Sequence, residues 1–92
     1  MEIKKLKSIP YGQCCVEIAN KNTFYLWSYR TLVAKVENGW LTINGLYSAT
    51  TRRHIGAFMQ EYCYSNYQMA KQLYNDKMSL NIDTGEVVEI DN

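Results

Sequence analysis

The run Tyr47-Ser48-Ala49-Thr50-Thr51-Arg52-Arg53-His54 sets hydroxyl residues that can cap a helix directly before three potential cations. The free N–H groups and partial positive charge at a helix N-terminus ordinarily favour Asp or Glu in the first turn, so cations there call for an explanation. An anion supplies one: a nucleic acid, a ligand or a partner's carboxylate would be held by the dipole and the side chains together. The plainer alternative is that the hydroxyls cap the helix and the cations point into water, at a cost of a few tenths to about one kcal/mol. Both readings stay open at this level, and the candidate binding residues are Tyr47, Ser48, Thr50, Thr51, Arg52, Arg53 and His54, with Trp40 as a separate contact residue.

Covalent chemistry finds less support. His54 is the single histidine of the chain, so no arrangement needing two is available. A Cys63–His54 nucleophile–base pair has no local motif behind it, and Cys14, Cys15, Cys63 and His54 lack metal-ligand spacing. Buried or half-buried free thiols account better for the cysteines. No glycine pattern forms a phosphate-binding loop, and the C-terminal carboxylates read as a solvated face rather than a catalytic pair. The expectation is a non-enzymatic protein with no catalytic residue, no metal and no cofactor.

Ninety-two residues are enough for one domain spanning 1–92 and one core. A hydrophobic content of 47% with 21% charged residues is globular rather than disordered. Eight Tyr against two Phe and two Trp provide apolar area with a hydrogen-bonding tip, suited to half-buried cores and to contact surfaces. A net charge of +1 argues against a polybasic nucleic-acid binder, yet it hides a gradient. Residues 1–53 carry +5 and residues 54–92 carry −4, with Asp83, Glu86, Glu89 and Asp91 as the acidic pole. Three cysteines, two of them adjacent, make no disulfide framework. The N-terminus has no apolar signal-like stretch and no run is long enough to span a bilayer, so a cytoplasmic location without membrane contact is expected.

The elements that must position the cationic run follow from periodicity. Residues 14–19 alternate as a strand, Asn20-Lys21-Asn22 reads as a turn, and residues 24–29 form an aromatic second strand, bent near Ser28-Tyr29-Arg30. Asn38-Gly39 is the preferred pair for a two-residue hairpin turn. Its register opposes Glu37 to Trp40, Val36 to Leu41 and Ala34 to Ile43. Leu32, Ala34, Val36, Leu41 and Ile43 then share one face, and Val33, Lys35, Glu37, Trp40, Thr42 and Asn44 the other. Trp40 on that polar face is either covered or exposed for contact. Ser48 or Thr50 caps a first helix whose Ile55, Phe58, Met59 and Tyr62 form the apolar stripe, with Arg53, Ala57, Gln60 and Tyr64 opposite and Arg52 and His54 flanking it. Ser65 and Gln68 fit a capping box for a second helix to about Asn75, burying Met69, Ala70, Leu73 and Tyr74. Beyond Lys77 the period shortens to that of a strand, and Asp83-Thr84-Gly85 supplies a turn, so a terminal hairpin or one added edge strand is expected. The predicted fold is α+β, an antiparallel sheet of about four strands with two helices on one face and a C-terminal strand or hairpin.

Ser28-Tyr29-Arg30-Thr31-Leu32-Val33-Ala34 and Tyr47-Ser48-Ala49-Thr50-Thr51-Arg52-Arg53-His54 resemble the S-Y-x-T-x-V-A strand and Y-S-x-T-T-x-R-H helix start of a group of small uncharacterised bacteriophage and prophage proteins. The similarity covers about residues 25–60. The resemblance implies a phage origin and the cytoplasm of a host cell. Short phage accessory proteins often inhibit a host protein stoichiometrically, anti-CRISPR inhibitors of nucleic-acid-handling defence complexes among them. The leading expectation is therefore a non-enzymatic inhibitor that binds a host protein, and the alternative is direct nucleic-acid or phosphate binding through the cationic helix start.

Overall fold

The computed structural model describes residues 1–90, so Asp91 of the predicted acidic pole lies outside the described residues. Seven antiparallel strands form one sheet in strict sequence order. They are β1 (Glu2–Lys4), β2 (Cys14–Asn20), β3 (Thr23–Ser28), β4 (Thr31–Glu37), β5 (Trp40–Ile43), β6 (Met78–Asn81) and β7 (Val87–Glu89). Two helices, α1 (Ala49–Tyr62) and α2 (Tyr67–Asp76), are inserted between β5 and β6. The α+β class agrees with the sequence expectation, but four strands was an undercount. β1 is three residues long and all of them are exposed, so it has no buried face, and β6 and β7 form the terminal hairpin.

The central hairpin has the register that Asn-Gly dictates. Asn38 and Gly39 both adopt positive φ, 54° and 86°, and Glu37, Val36 and Ala34 oppose Trp40, Leu41 and Ile43. One assignment on that hairpin is reversed. Val33 is fully buried while Leu32 is half-buried on the other face. Instead of a bent strand, Ser28-Tyr29-Arg30-Thr31 makes a tight turn, with Tyr29 at φ 58°, that places Leu32 opposite the outward Trp27. The Asn-Gly turn independently holds Ala34 inward, opposite Leu26. Residues 32 and 34 share a face in a regular strand, so the two turns conflict, and a bulge at Val33 resolves the conflict. Asn44 secures it, its backbone N–H donating to the Val33 carbonyl at 2.8 Å and its side-chain amide to that of Leu32 at 3.2 Å.

Both helices lie on the face of Val16, Leu26, Val36 and Leu41, all fully buried in one core with Ile55, Phe58 and Met59 of α1 and Ala70 and Leu73 of α2. Phe24 packs edge-on to Phe58 and against Tyr62. The second helix starts one residue later than the capping-box reading, at Asn66, whose side chain accepts from the Met69 N–H. Ser65 is already committed to ending α1: after Tyr64 at φ 54°, its N–H donates to the Met59 carbonyl. Tyr74, expected inside, is 42% exposed, and Ala57, expected outside, is buried in the same core.

Replacing Val33 by Ala is expected to cost about 2 kcal/mol of stability, and Leu32→Ala distinctly less, in urea-denaturation measurements. The opposite order would place the bulge elsewhere.

Candidate functional site

Ser48 is the N-cap of α1, extended in backbone, its Oγ accepting the Thr51 N–H at 3.1 Å. From this cap a chain of hydroxyls runs into the core. Ser48 Oγ donates to Thr51 Oγ1 at 3.2 Å, Thr51 and Ser28 Oγ are 3.2 Å apart, and Ser28 Oγ lies 2.8 Å from His54 Nδ1. If each hydroxyl passes its proton along the chain, Ser28 donates to Nδ1 and the imidazole carries its hydrogen on Nε2. Nε2 is buried without a partner, facing Gly12, where an added Cβ would stand 3.4 Å from it.

The three potential cations therefore part company. His54 is 1% exposed, and burial, reinforced by the neighbouring Arg53 charge, lowers its pKa. Thr51 is 5% exposed and belongs to the same buried network. With Ser28 and His54 both 1% exposed, the pair ties β3 to α1 rather than presenting a nucleophile to a substrate. Burial likewise pushes the Cys63 thiol up to about 12, which suppresses its thiolate. Trp40 is half-buried on the opposite face of the sheet, away from the helix start.

Tyr47, Ser48, Arg52 and Arg53 remain at the surface and Thr50 is half-buried. The Arg52 Nε–H donates to the Leu46 carbonyl at 2.8 Å, so this guanidinium is folded against the loop that enters α1. Tyr47 lies over Gly45, where any Cβ would stand 2.5 Å from the phenol ring. Two adjoining depressions share Arg52 and Tyr67. The larger, of about 740 Å³, runs along α1 past Arg53, Gly56, Ala57 and Gln60 and is walled by Ser8 and Ile9. The smaller, of about 440 Å³, adds Tyr47, Lys71, Tyr74 and Asn75. Gly56 lets α2 approach, an added Cβ there meeting Tyr67 Cβ at 3.4 Å.

Among the described residues the ion pairs are Lys4–Glu2 and Lys35–Glu37, so Arg52, Arg53 and Lys71 have no carboxylate partner. α1 also has no acidic residue in its first turn. The result is an apolar-floored groove with free cations at the helix start and tyrosines on its rim. Sequence reasoning missed Tyr67, Lys71 and Tyr74 as lining residues. Their i, i+4, i+7 spacing, which puts all three on one side of α2, was the signal that could have found them.

The sequence profile of a family of unknown function, DUF8033, matches residues 2–77. The chain belongs to this family. The matched span takes in β1 to β5 and both helices, so the whole groove lies within the part of the chain that defines DUF8033. No curated protein and no solved structure matches it. No helix among the described residues is long and apolar enough to cross a membrane.

Because the His54 pKa is lowered in the folded state, the unfolded chain binds the proton first as pH falls below about 6.5. The His54 contribution to stability is therefore present above that pH and lost as pH drops through the folded-state value. Urea midpoints are expected to fall between pH 7.5 and 5, and His54→Gln is expected to flatten that dependence relative to the parent.

Proposed function

We propose that this DUF8033 chain is a non-enzymatic phage accessory protein that binds and inhibits a host protein through the groove of α1 and α2. The observation that carries the reading is the pairing of unpartnered Arg52, Arg53 and Lys71 with an apolar floor of Ile9, Gly56 and Ala57. Such a surface offers a partner both charge steering and apolar area to bury. The resemblance to phage proteins supports a host protein as the partner, a nucleic-acid-handling defence complex among the candidates, and the free cations of the groove call for acidic side chains on the surface that it covers. Inhibition then follows from occupancy and needs no reaction. Acidic side chains of the partner would meet Arg52 and Arg53 at the positive end of α1, while an apolar side chain fills the groove beside Ala57.

Direct nucleic-acid binding is the second reading, favoured by Tyr47, Tyr67 and Tyr74 gathered around Arg52 and Lys71 in the smaller depression. Aromatic rings beside cations suit base stacking with phosphate contact.

One double variant separates them. Arg52→Ala with Arg53→Ala is expected to weaken a stoichiometric complex with the host protein at least tenfold, on the order of 1.5 kcal/mol or more for charge-assisted contacts, in calorimetric titration. Inhibition should saturate near equimolar ratio, and turnover of a substrate by the isolated chain would overturn the proposal. If nucleic acid is the partner instead, gel shifts will show binding that falls steeply with salt, and the double variant will flatten the slope by about two.

A further inference from the structure

The face of the sheet turned away from the helices is uncovered, and its register arranges it in rows. One row crosses five strands as Ile3, Glu17, Tyr25, Lys35 and Thr42, and the next as Cys15, Trp27 and Leu32. Tyr25 and Trp27 are therefore consecutive outward residues of β3, flanked by Glu17 on one side and Lys35 on the other. Trp40 adds a further indole two strands away. Tyr25, Trp27 and Trp40 are half-buried, and Ile3 is 67% exposed. Their placement is fixed: the Trp27 indole N–H donates to Glu17 Oε1 at 3.2 Å, and Lys35 Nζ is held by Glu37 at 3.1 Å.

We propose that this face pairs with the same face of a second copy of the chain, as a sheet-on-sheet dimer about a two-fold axis along β3. A rotation about an axis lying between the two faces and parallel to β3 exchanges the flanking strands. It carries Glu17 of one copy over Lys35 of the other and Lys35 over Glu17, and it sets Cys15 opposite Leu32. The Glu17 and Lys35 positions are thus complementary to each other in charge and the Cys15 and Leu32 positions in apolar character, as an isologous contact requires. Aligned sheets pack about 10 Å apart, a gap that large side chains from the two faces fill. Tyr25 and Trp27 stand on the axis, at the centre of the contact, where aromatic anchors contribute most. A single-stranded nucleic acid fits this face less well, because Glu17 and Glu37 outnumber Lys35 and leave no cationic surplus for phosphates. The groove of α1 and α2 lies on the other side of the sheet and stays open in such a dimer, which would present it twice.

Sedimentation equilibrium on the full chain, from low micromolar to submillimolar concentration, tests the pairing. The parent should show a reversible monomer–dimer equilibrium. Glu17→Lys sets ammonium against ammonium across the axis, and Lys35→Glu sets carboxylate against carboxylate. Each variant alone is expected to raise the dimer dissociation constant at least tenfold, with an unchanged far-ultraviolet circular dichroism spectrum. An equimolar mixture of the two should form a heterodimer, because the two introduced side chains then face each other with opposite charge, as do the retained Lys35 of one copy and the retained Glu17 of the other. A parent that stays monomeric throughout, variants that dimerise like the parent, or singly weakened variants that fail to associate when mixed would each overturn the proposal, as would retention of a monomeric parent by single-stranded oligonucleotides.

Discussion

The constraint on which the architecture depends is that the chain leaves the sheet at Ile43 and must return at Met78 to the strand position beside the one it left. β5 and β6 are antiparallel neighbours, so the excursion between them begins and ends at the same end of the sheet. Two helices, one out and one back, satisfy that geometry, and their shared apolar side must then lie on a single face. Everything distinctive about the molecule follows: one face of the sheet is the core, the other is bare, and the loops and helix start that enter the excursion gather where α1 meets α2.

Joining α1 to the sheet required a polar contact inside an otherwise apolar core. Ser28 ends β3 on the inner face, opposite Cys14, and without a partner its buried hydroxyl would be costly. His54 supplies that partner, and Thr51 and Ser48 extend the chain of hydrogen bonds to the solvent-exposed cap. The same residues that cap the helix thus anchor it to β3 and fix its rotation. That rotation sends His54 inward and Arg52 and Arg53 outward, which is why the groove begins at this helix start.

The charge gradient gains a spatial meaning in this arrangement. Asp83, Glu86 and Glu89 are exposed in the β6–β7 hairpin and make no ion pair with Arg52, Arg53 or Lys71. Among the described residues no carboxylate pairs with the groove cations, which leaves their charge uncompensated at the groove.

Much of this was written into local sequence. Asn38-Gly39 determined its hairpin and register because only residues tolerant of positive φ suit that turn, and local sequence narrowed the start of α1 to Ser48 or Thr50, hydroxyls that can satisfy an orphan N–H, of which Ser48 is the cap. The apolar stripe of α1 showed which side of the helix would be buried. Tertiary structure alone decided the rest. The bulge at Val33 arises from two turns that each fix a register locally and disagree only when joined through one strand. β1 became a strand because β2 offered it an edge, since its three exposed residues bury no face of their own. His54 looked like a third cation beside Arg52 and Arg53, since nothing within its own helix reveals Ser28, which lies 26 residues away in sequence and 2.8 Å away in space. Periodicity reports which side of an element is apolar; which polar groups meet inside depends on contacts between elements that no local pattern encodes.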